Sequence, residues 1–542
     1  MPRFLAAAVR WVDANVLSLR REMRWSYLPP LMVYMAAGVS GLTGIVGTFF
    51  VKDYLGLSAS FLVALGFWAG IPWALKMPLG HLVDLIWRWK AVLVYVGASL
   101  IAASLAIMVA LIGDREAMTR IASAESWYVA SALLAPIGYV IQDAVADAMT
   151  VEAVPSRDEL GRPIDPQSRK LMHTTMQTLG RVAIIGGTVV VAVINLVLFS
   201  GVEALPQAEI AEIYRQVYLM ALSIPLISVL GVMSAALLTR RERRRLAAVG
   251  ISASDVAADS AESGTARPNW WILGGSLVFV LFTLTVGFGD FPYNEEIVFT
   301  GSMAIVVFLL ARLTSELEPD LRSTLIGTAV VIFAFRATPG AGPGVTWWMI
   351  DVLGFDQHFL AELSLTASVL TLFGMFLFRR FMAERSIRYV VGFLTIAGFI
   401  LALPILGLYY GIHEWTKRLT AGIVDARFIA LVDTALESPL GQISMIPMLA
   451  WIANSAPKHL KATYFAVMAS FTNLALSLGQ LGTKYLNDMF TITREVRDAS
   501  GGVATPPDYG QLGWLLIAQM LVSLALPFAA IAFVRLSRFR SA

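Results

Sequence analysis

The sequence contains no cysteine and few charged residues. Without cysteine there is no disulfide, no thiolate nucleophile and no cysteine-based metal site. The five histidines show no spacing typical of metal ligands. Charged residues make up only 15% of the chain, whereas a soluble domain carries about 25%. No cofactor or metal is therefore expected, and the composition argues against an ordinary soluble protein.

Long apolar runs take the place of the missing charges. Of the 542 residues, 57% are hydrophobic, and the mean hydropathy is +0.70. Runs of roughly 20 apolar residues recur between short polar loops, which is the pattern of a polytopic all-α membrane protein. Fourteen transmembrane spans are predicted, near residues 29–50, 59–79, 91–112, 127–149, 171–199, 215–238, 270–288, 294–312, 323–350, 358–378, 388–411, 424–453, 460–486 and 511–534.

Lysine and arginine are distributed unevenly over the predicted loops. Most of the 41 residues of these two types fall in loops on the side of the two termini, for example in the run RRERRR at 240–245. Because cytoplasmic loops are enriched in them, both termini are predicted to be cytoplasmic, in a multi-pass protein of the cell inner membrane. Residues 1–28 are interpreted as an amphipathic helix on the cytoplasmic surface, and the Ser/Ala/Asp-rich residues 239–269 as a cytoplasmic linker.

An internal repeat divides the chain into two halves. Residues 49–65 align without gaps to residues 347–363, and both segments follow the first span of a half. Duplicated six-helix halves are typical of secondary transporters, whose substrate site lies between the repeats. The predicted domains are an N-terminal six-helix bundle at 29–238, an inserted helical hairpin at 270–322 and a C-terminal six-helix bundle at 323–542.

A short loop motif follows the second predicted span. Gly80 is followed by an acid, Asp84, and then by Arg88. This order resembles, in a degenerate form, the loop signature of the major facilitator superfamily. Lys76 and Asp84 are interpreted as groups that lock the cytoplasmic face, with substrate contact as the alternative, and Gly80 and Arg88 are assigned to the same motif.

Longer segments resemble the folate-biopterin transporter family within that superfamily. They are FFVKDYLGLS (49–58), IPWALKMPLG (71–80), IQDAVADAMTVE (141–152) and FRATPGAGPGVTWWMIDVLGF (335–355). The resemblance implies a major facilitator fold with twelve core helices, alternating access and proton-coupled movement of a pterin or folate. The inserted hairpin departs from the twelve-helix pattern, and the loop motif lacks the usual run of basic residues.

Two carboxylates lie one helical turn apart in the fourth predicted span. Asp143 and Asp147 fall on one side of the helix together with Thr150. A charged group at the bilayer centre costs about 2.5–3.5 kcal/mol on insertion scales, so such groups usually line a cavity. The two acids are interpreted as a site for substrate and proton, in which a carboxylate accepts hydrogen bonds from a pterin ring. The alternative is a structural ion pair with Arg181; Glu152 is assigned a loop contact.

The fifth predicted span presents Gln177 and Arg181 one turn apart on the same face. Two roles for Arg181 fit this position. It can bind a carboxylate of the substrate, such as the glutamate tail of a folate, or it can clamp Asp143 or Asp147. Both residues are included in the predicted substrate site.

Arg336 lies in the first span of the C-terminal half, directly before the run TPGAGPG at 338–344. Prolines and glycines in this density break a helix. Broken helices in transporters expose backbone groups only where a cavity or packed protein satisfies them. Arg336 is therefore predicted to line the substrate site, with tight helix packing through small residues as the alternative.

A second pair of acids, Asp433 and Glu437, lies one turn apart in the C-terminal half. The pair is interpreted as a gate or as the partner of Arg427 or Lys484. Contact with the substrate or the proton is the alternative.

The predicted function is secondary active transport, driven by protons, of a pterin- or folate-like or other aromatic anionic small molecule. The expected partners are that small molecule, protons and the lipid bilayer, without nucleic acid, and the protein is expected to be a monomer. One alternative is a drug/proton antiporter, although the fifth span lacks the proline expected after its glycines. Another is a non-transporting assembly factor for pigment or lipid, although such a protein needs fewer buried charges. An enzyme is not expected, because no nucleophile–base pair, phosphate loop or metal cluster can be assembled.

Overall fold

The structure of the protein is a computed structural model. The predicted N-terminal amphipathic segment up to residue 21, the linker residues 249–269 and Arg88 lie outside the described residues. The described residues are 22–55, 57–74, 76–86, 89–155, 157–158, 162–202, 205–248, 270–289, 291–315, 318–378, 381, 385–441, 443, 461–497, 503–537 and 539.

Helices α1 to α10 form the N-terminal half. A 3-10 turn at Ser40–Thr43 joins the first two of them. Their bounds are α1 Leu28–Val39, α2 Gly44–Tyr54, α3 Ala59–Ala74, α4 Lys76–Leu85, α5 Lys90–Gly113, α6 Arg115–Thr119, α7 Ala124–Ala153, α8 Pro166–Leu198, α9 Gln207–Ala221 and α10 Ser223–Ala248.

A hairpin of two helices and the C-terminal half follow. The hairpin consists of α11 Trp270–Phe288 and α12 Asn294–Thr314. The helices of the C-terminal half are α13 Pro319–Arg336, α14 Gly344–Asp351, α15 Gln357–Leu377, α16 Ile387–Leu401, α17 Leu403–Tyr409, α18 Ile412–Leu419, α19 Ala426–Glu437, α20 Lys461–Met489 and α21 Leu512–Leu536. A small antiparallel pair of strands, β1 Val496–Arg497 and β2 Val503–Thr505, precedes α21.

Within the described residues, ten helices are long and apolar enough to cross a membrane. Six of them lie in the N-terminal half, one is α12 and three lie in the C-terminal half, so the multi-pass helical architecture is confirmed. The break predicted at 338–344 is observed between α13 and α14. Only the first part of the span predicted at 424–453 is described as a helix, α19, and the total of fourteen spans stays a prediction.

Small residues allow two helix pairs in the N-terminal half to touch backbone to backbone. A Cβ atom added to Gly38 of α1 would lie 2.1 Å from the carbonyl oxygen of Ile184 of α8. A Cβ atom added to Gly138 of α7 would lie 2.6 Å from the carbonyl oxygen of Gly97 of α5. Close backbone approach of this kind is typical of membrane helices, and here it brings side chains of α1, α7 and α8 to one place.

The two halves meet along two seams. Helix α3 packs against α20, and α8 packs against α15. We call the end of the bundle with the loops 55–58 and 352–356 the repeat end, because both loops belong to the internal repeat. The end at which α4 is followed by α5 and α7 is followed by α8 is called the linker end.

Candidate functional site

One lysine holds both acids of the fourth predicted span. The ammonium group of Lys76, on α4, lies 2.6 Å from Asp143 Oδ2 and 2.8 Å from Asp147 Oδ2, on α7. The hydroxyl of Tyr34, on α1, donates a hydrogen bond of 2.6 Å to Asp147 Oδ1. Three helices therefore contribute to one charged cluster, which we call the N-half cluster: Tyr34, Lys76, Asp143 and Asp147.

The two acids of the N-half cluster differ in exposure. The side chain of Asp143 is 16% exposed, whereas that of Asp147 is 41% exposed. Asp147 is therefore the more accessible of the two acids, and Asp143 lies deeper between the helices. Within the cluster, two carboxylates share one ammonium group.

Gln177 and Arg181 lie beside the N-half cluster on α8. The amide of Gln177 donates a hydrogen bond of 3.2 Å to the hydroxyl of Thr150, which in turn donates to the backbone carbonyl of Asp147. Arg181 is close enough to Asp143 to act on it electrostatically. The ion pairs of the described residues, however, join both acids to Lys76 rather than to Arg181. The predicted clamp by Arg181 is thus replaced by Lys76, which reaches the acids because α4 packs against α7.

Arg336 lines a cavity between the two halves. The cavity has a volume of about 420 Å³, which is within the usual range for small-molecule sites. The Arg336 Nε atom also donates a hydrogen bond of 3.3 Å to the backbone carbonyl of Thr472, on α20. The cavity is lined by Leu62 and Val63 of α3, by Arg336, Thr338, Gly340, Gly342 and Pro343 around the break, and by Leu476, Gly479, Gln480 and Thr483 of α20.

Side chains of neighbouring helices satisfy the backbone groups that the break releases. The Gly340 N–H donates to Thr483 Oγ1 at 2.8 Å, and Asn487 donates to the carbonyl of Ala341 at 3.2 Å. Gly342 has a φ of +80°, and a Cβ atom there would lie 2.6 Å from the Asn487 amide nitrogen. Glycine tolerates both the positive φ and the close approach of Asn487. The break is therefore a well-packed part of the cavity wall.

A short chain of contacts connects the cavity to the N-half cluster. Asn473 follows Thr472 on α20, and its amide donates a hydrogen bond of 2.9 Å to the backbone carbonyl of Trp73, on α3. Lys76 comes three residues after Trp73. Arg336 therefore lies at the contact between α3 and α20, and Lys76, which binds the acids of α7, follows α3 in the chain.

The second pair of acids has a different environment. Asp433 is 6% exposed, and its Oδ1 atom has no hydrogen-bond partner among the described residues. The two predicted cationic partners are engaged elsewhere. Arg427 pairs with Asp356 at 2.6 Å, and Lys484 pairs with Glu295 of the hairpin at 3.3 Å. The expected pairing of Asp433 and Glu437 with either cation is therefore not what the structure contains.

Of the predicted loop motif, Lys76 belongs to the N-half cluster instead of to a loop. Gly80 lies within α4, and a Cβ atom there would meet no atom within 4 Å. Asp84 is also within α4, but its side chain lies outside the described residues, as does Arg88. No metal-binding group of three or more candidate ligands occurs in the part of the chain that the structure describes.

No pattern in the sequence marks Tyr34 as a member of the site. A tyrosine in an apolar span usually serves as an ordinary packing residue, and nothing in the spacing links Tyr34 to Asp147. The glycines at 180 and 187 are the available signal, because they mark the face of α8 against which α1 packs. A Cβ atom on Gly180 would lie 2.9 Å from the Tyr34 ring.

The fold is similar to that of solved membrane transporters. A POT family transporter in complex with a thioalcohol-conjugated peptide matches with a TM-score of 0.58 and 12% identity, over 94% of this chain and 96% of that protein. The nucleoside transporter NupG matches with a TM-score of 0.54 and 13% identity, over 94% of this chain and 99% of that protein. The predicted major facilitator fold agrees with these similarities.

Comparison of sequences identifies relatives named as transporters. A segment of 169 residues is 30% identical to a folate-biopterin transporter of Synechocystis sp. and covers 30% of this chain and 33% of that protein. A segment of 161 residues is 27% identical to the putative folate transporter 2 of Plasmodium berghei and covers 30% of this chain and 34% of that protein. The chain thus spans about a third of the length of the curated relatives that it matches. Residues 299–537 match the model of the BT1 family, and the predicted resemblance to the folate-biopterin transporters is thereby confirmed.

Proposed function

We propose that the protein is a proton-coupled secondary transporter of folate-like molecules, that is, of an aromatic ring system carrying a carboxylate. The single observation that supports this function best is the placement of opposite charges in the two halves. Two carboxylates lie in the N-terminal half, and Asp147 is the more exposed of them. A guanidinium group lines the cavity on the other half, at Arg336.

The two groups suit the two ends of such a substrate. A carboxylate can accept paired hydrogen bonds from adjacent amino and ring N–H groups, and a guanidinium group can donate paired hydrogen bonds to a carboxylate. A substrate bound to both halves favours the conformation in which they are close, and its release allows them to separate. The names of the sequence relatives point to the same substrate class.

The test is uptake of labelled folate and of labelled biopterin into proteoliposomes, with and without an inward proton gradient. We expect gradient-dependent uptake of at least one of the two. If neither compound enters in either condition, the proposed substrate class is wrong. If the compounds enter at the same rate in both conditions, transport is retained and the proton coupling is withdrawn.

A matched pair of variants tests the role of the cavity. Arg336→Gln removes the guanidinium group from the cavity, and Arg322→Gln removes one from an exposed position on the same helix, α13. Loss of one charge-assisted hydrogen bond removes about 1.5–3 kcal/mol. We therefore expect Arg336→Gln to raise the KM for folate about 10-fold or more, and Arg322→Gln to leave it unchanged. Biopterin, which has no carboxylate, should be affected less by Arg336→Gln.

A further inference from the structure

Within the described residues, the buried acid of the C-terminal half, Asp433, has no counter-charge of the kind that the acids of the N-terminal half possess. It lies on α19 and is 6% exposed, and its Oδ1 atom accepts no hydrogen bond from the described residues. An ionised carboxylate in such a place is strongly disfavoured, because nothing replaces the water that it has lost. A neutral carboxylic acid is favoured there.

Charged groups on the surrounding elements do not change this conclusion. Helices α15, α16, α17 and α18 pack around α19 or at its start. On α15, His358 and Glu362 lie 3.6 Å apart and face each other, and on α17 the Tyr409 hydroxyl donates to backbone carbonyls of the loop before α21. On α18, His413 lies 3.5 Å from Glu414.

Further charged or titratable groups lie on α18 and α16: Lys417 and Arg418 occupy the last turn of α18. Arg388 and Tyr389 occupy the first turn of α16, where α16 begins at the linker end. The charged group that acts on Asp433 is Glu437, one turn further along α19. Two carboxylates at this spacing repel each other, so simultaneous ionisation is disfavoured.

The N-half cluster has the opposite character. Lys76 lies within 2.8 Å of both Asp143 and Asp147, and Tyr34 donates a hydrogen bond to Asp147. A nearby ammonium group and a donated hydrogen bond both favour the ionised form of a carboxylate. Both acids of the N-half cluster therefore have a cation in contact with them, whereas the described residues provide no ion pair for Asp433.

We propose that Asp433 is the proton-binding residue of the carrier and that Glu437 is the group through which the proton reaches it. The inference rests on the proposed proton coupling. The proton adds to a carboxylate oxygen of Asp433 to give a neutral acid, and it leaves from the same oxygen when Asp433 meets water or a cation. Glu437 is more exposed than Asp433 and lies one turn further along the same face of α19, so it can pass a proton to and from Asp433.

Proton binding at this position couples to conformation in a simple way. The neutral acid is compatible with the packed arrangement observed here, in which Asp433 is enclosed. The ionised form favours an arrangement that exposes Asp433 to water. Protonation of Asp433 therefore shifts the equilibrium between two arrangements of the halves. If the substrate shifts the same equilibrium, binding of the proton and binding of the substrate are coupled.

Infrared difference spectroscopy on the full chain in lipid, recorded after a pH jump, tests the assignment without any substrate. A protonated carboxyl group gives a separate carbonyl band. We expect this band to disappear in Asp433→Asn and to shift in Asp433→Glu. It should persist in Asp147→Asn and in Asp488→Asn, a control at an exposed position on α20. Persistence of the band in Asp433→Asn, or its loss in Asp147→Asn, would overturn the assignment.

Transport gives a second readout. We expect Asp433→Asn to lower the ratio of gradient-driven accumulation to exchange of labelled for unlabelled substrate by about 10-fold or more. Asp433→Glu should restore part of that ratio, because it restores the titratable group. An unchanged ratio in Asp433→Asn contradicts the proposal. If the unmodified protein moves no folate or biopterin at all, the proposed function fails, whereas the infrared experiment still decides the role of Asp433.

Discussion

A single ammonium group binds two carboxylates in the N-terminal half, and the consequence is a site in which both acids have a fixed geometry. Lys76 is bound at 2.6 and 2.8 Å, so both acids are oriented before a ligand arrives. The hydrogen bond from Tyr34 holds Asp147 from a second direction. When neighbouring groups already hold the side chains of a site in place, the entropic cost of ordering them on ligand binding is smaller.

Removal of the lysine should therefore be costly. Lys76→Met leaves two carboxylates without their cation, and loss of one partner of a buried ion pair costs about 3–5 kcal/mol. Since these side chains are 16–41% exposed, we expect about 3 kcal/mol, the lower end of that range. The measurement is thermal unfolding in detergent, together with folate uptake.

The control for Lys76→Met is the double variant Lys76→Met/Asp143→Asn, which also removes one of the acids. We expect it to be more stable than Lys76→Met alone, because one unpaired charge has gone. Equal stability of the single and the double variant would contradict an ion pair between Lys76 and Asp143.

A second prediction concerns the contact that positions Tyr34. A Cβ atom on Gly180 would lie 2.9 Å from the Tyr34 ring, whereas one on Gly186 of the same helix meets nothing within 4 Å. Gly180→Ala should displace the tyrosine and lower both stability and uptake, by about 1–3 kcal/mol in stability. Gly186→Ala should be neutral or stabilising by up to about 1 kcal/mol, because alanine favours the helix. Matching behaviour of the two variants would rule out this role for Gly180.

The acids could be predicted from the sequence, but their partners could not. Asp143 and Asp147 stand out because carboxylates are rare in apolar spans. Lys76, by contrast, falls near the predicted end of a span and next to a loop motif, which suggests a role at the membrane surface. Which cation meets which acid depends on how α1, α4, α7 and α8 pack, and periodicity within one helix contains no information on that packing.

At the scale of elements, the inserted hairpin connects the two halves. Glu295, at the start of α12, accepts a hydrogen bond of 3.3 Å from Trp68 of α3, and Lys484 of α20 lies 3.3 Å from its other oxygen. Buried side chains of α3, α11, α12 and α20 also form one hydrophobic cluster. A carboxylate in contact with both halves makes the hairpin a structural link across the seam.

The weaker of the two contacts is the one to Trp68, since it involves a neutral donor. Trp68→Phe removes the indole N–H and keeps an aromatic ring, which should cost about 0.5–1.5 kcal/mol. We expect faster hydrogen exchange at the start of α12, while α20 remains unaffected. Trp271→Phe, at an exposed position of α11, is the control. Unchanged exchange in Trp68→Phe would show that the hydrogen bond does not hold the hairpin.

The bounds of the hairpin could be predicted from the sequence almost to the residue. The spans expected at 270–288 and 294–312 are observed at Trp270–Phe288 and Asn294–Thr314, because apolar runs flanked by a polar turn leave little freedom. The link formed by Glu295 could not be predicted, because it needs residues that are far apart in the chain. The strands β1 and β2 could not be predicted either. They are two and three residues long and lie in a loop, so the sequence shows no alternating apolar pattern there.

At the scale of the whole molecule, the halves are joined by polar contacts at the repeat end. Lys52 of α2 pairs with Asp351 of α14 at 2.7 Å, and Gln357 donates a hydrogen bond of 3.0 Å to the Tyr214 hydroxyl. Arg494, from the loop before β1, donates to the carbonyls of Val51 and Leu55 at the end of α2. These contacts close the repeat end in the structure.

Asp351 is the centre of this closure. The Tyr509 hydroxyl donates a hydrogen bond of 2.5 Å to Asp351 Oδ2. Burial, together with this hydrogen bond to a carboxylate, raises the pKa of Tyr509 above its usual value. The sign of the shift means that the phenol stays protonated at physiological pH and remains a donor. Asp351 is also the repeat counterpart of Asp53. The internal repeat therefore includes a residue that joins the two halves at the repeat end.

A charge exchange tests whether the Lys52–Asp351 pair controls this closure. Lys52→Asp places two acids together and Asp351→Lys places two cations together, so each single variant should open the repeat end and slow uptake. The double variant restores an opposite-charge pair, and coupling between residues in contact is about 0.5–3 kcal/mol. We therefore expect the double variant to transport about 2-fold to 100-fold faster than the slower single variant. The same exchange at the exposed pair Glu116 and Arg120 should have no effect, because exposed pairs contribute little. Additive loss in the double variant would mean that the closure at the repeat end depends on Arg494 and Gln357 instead.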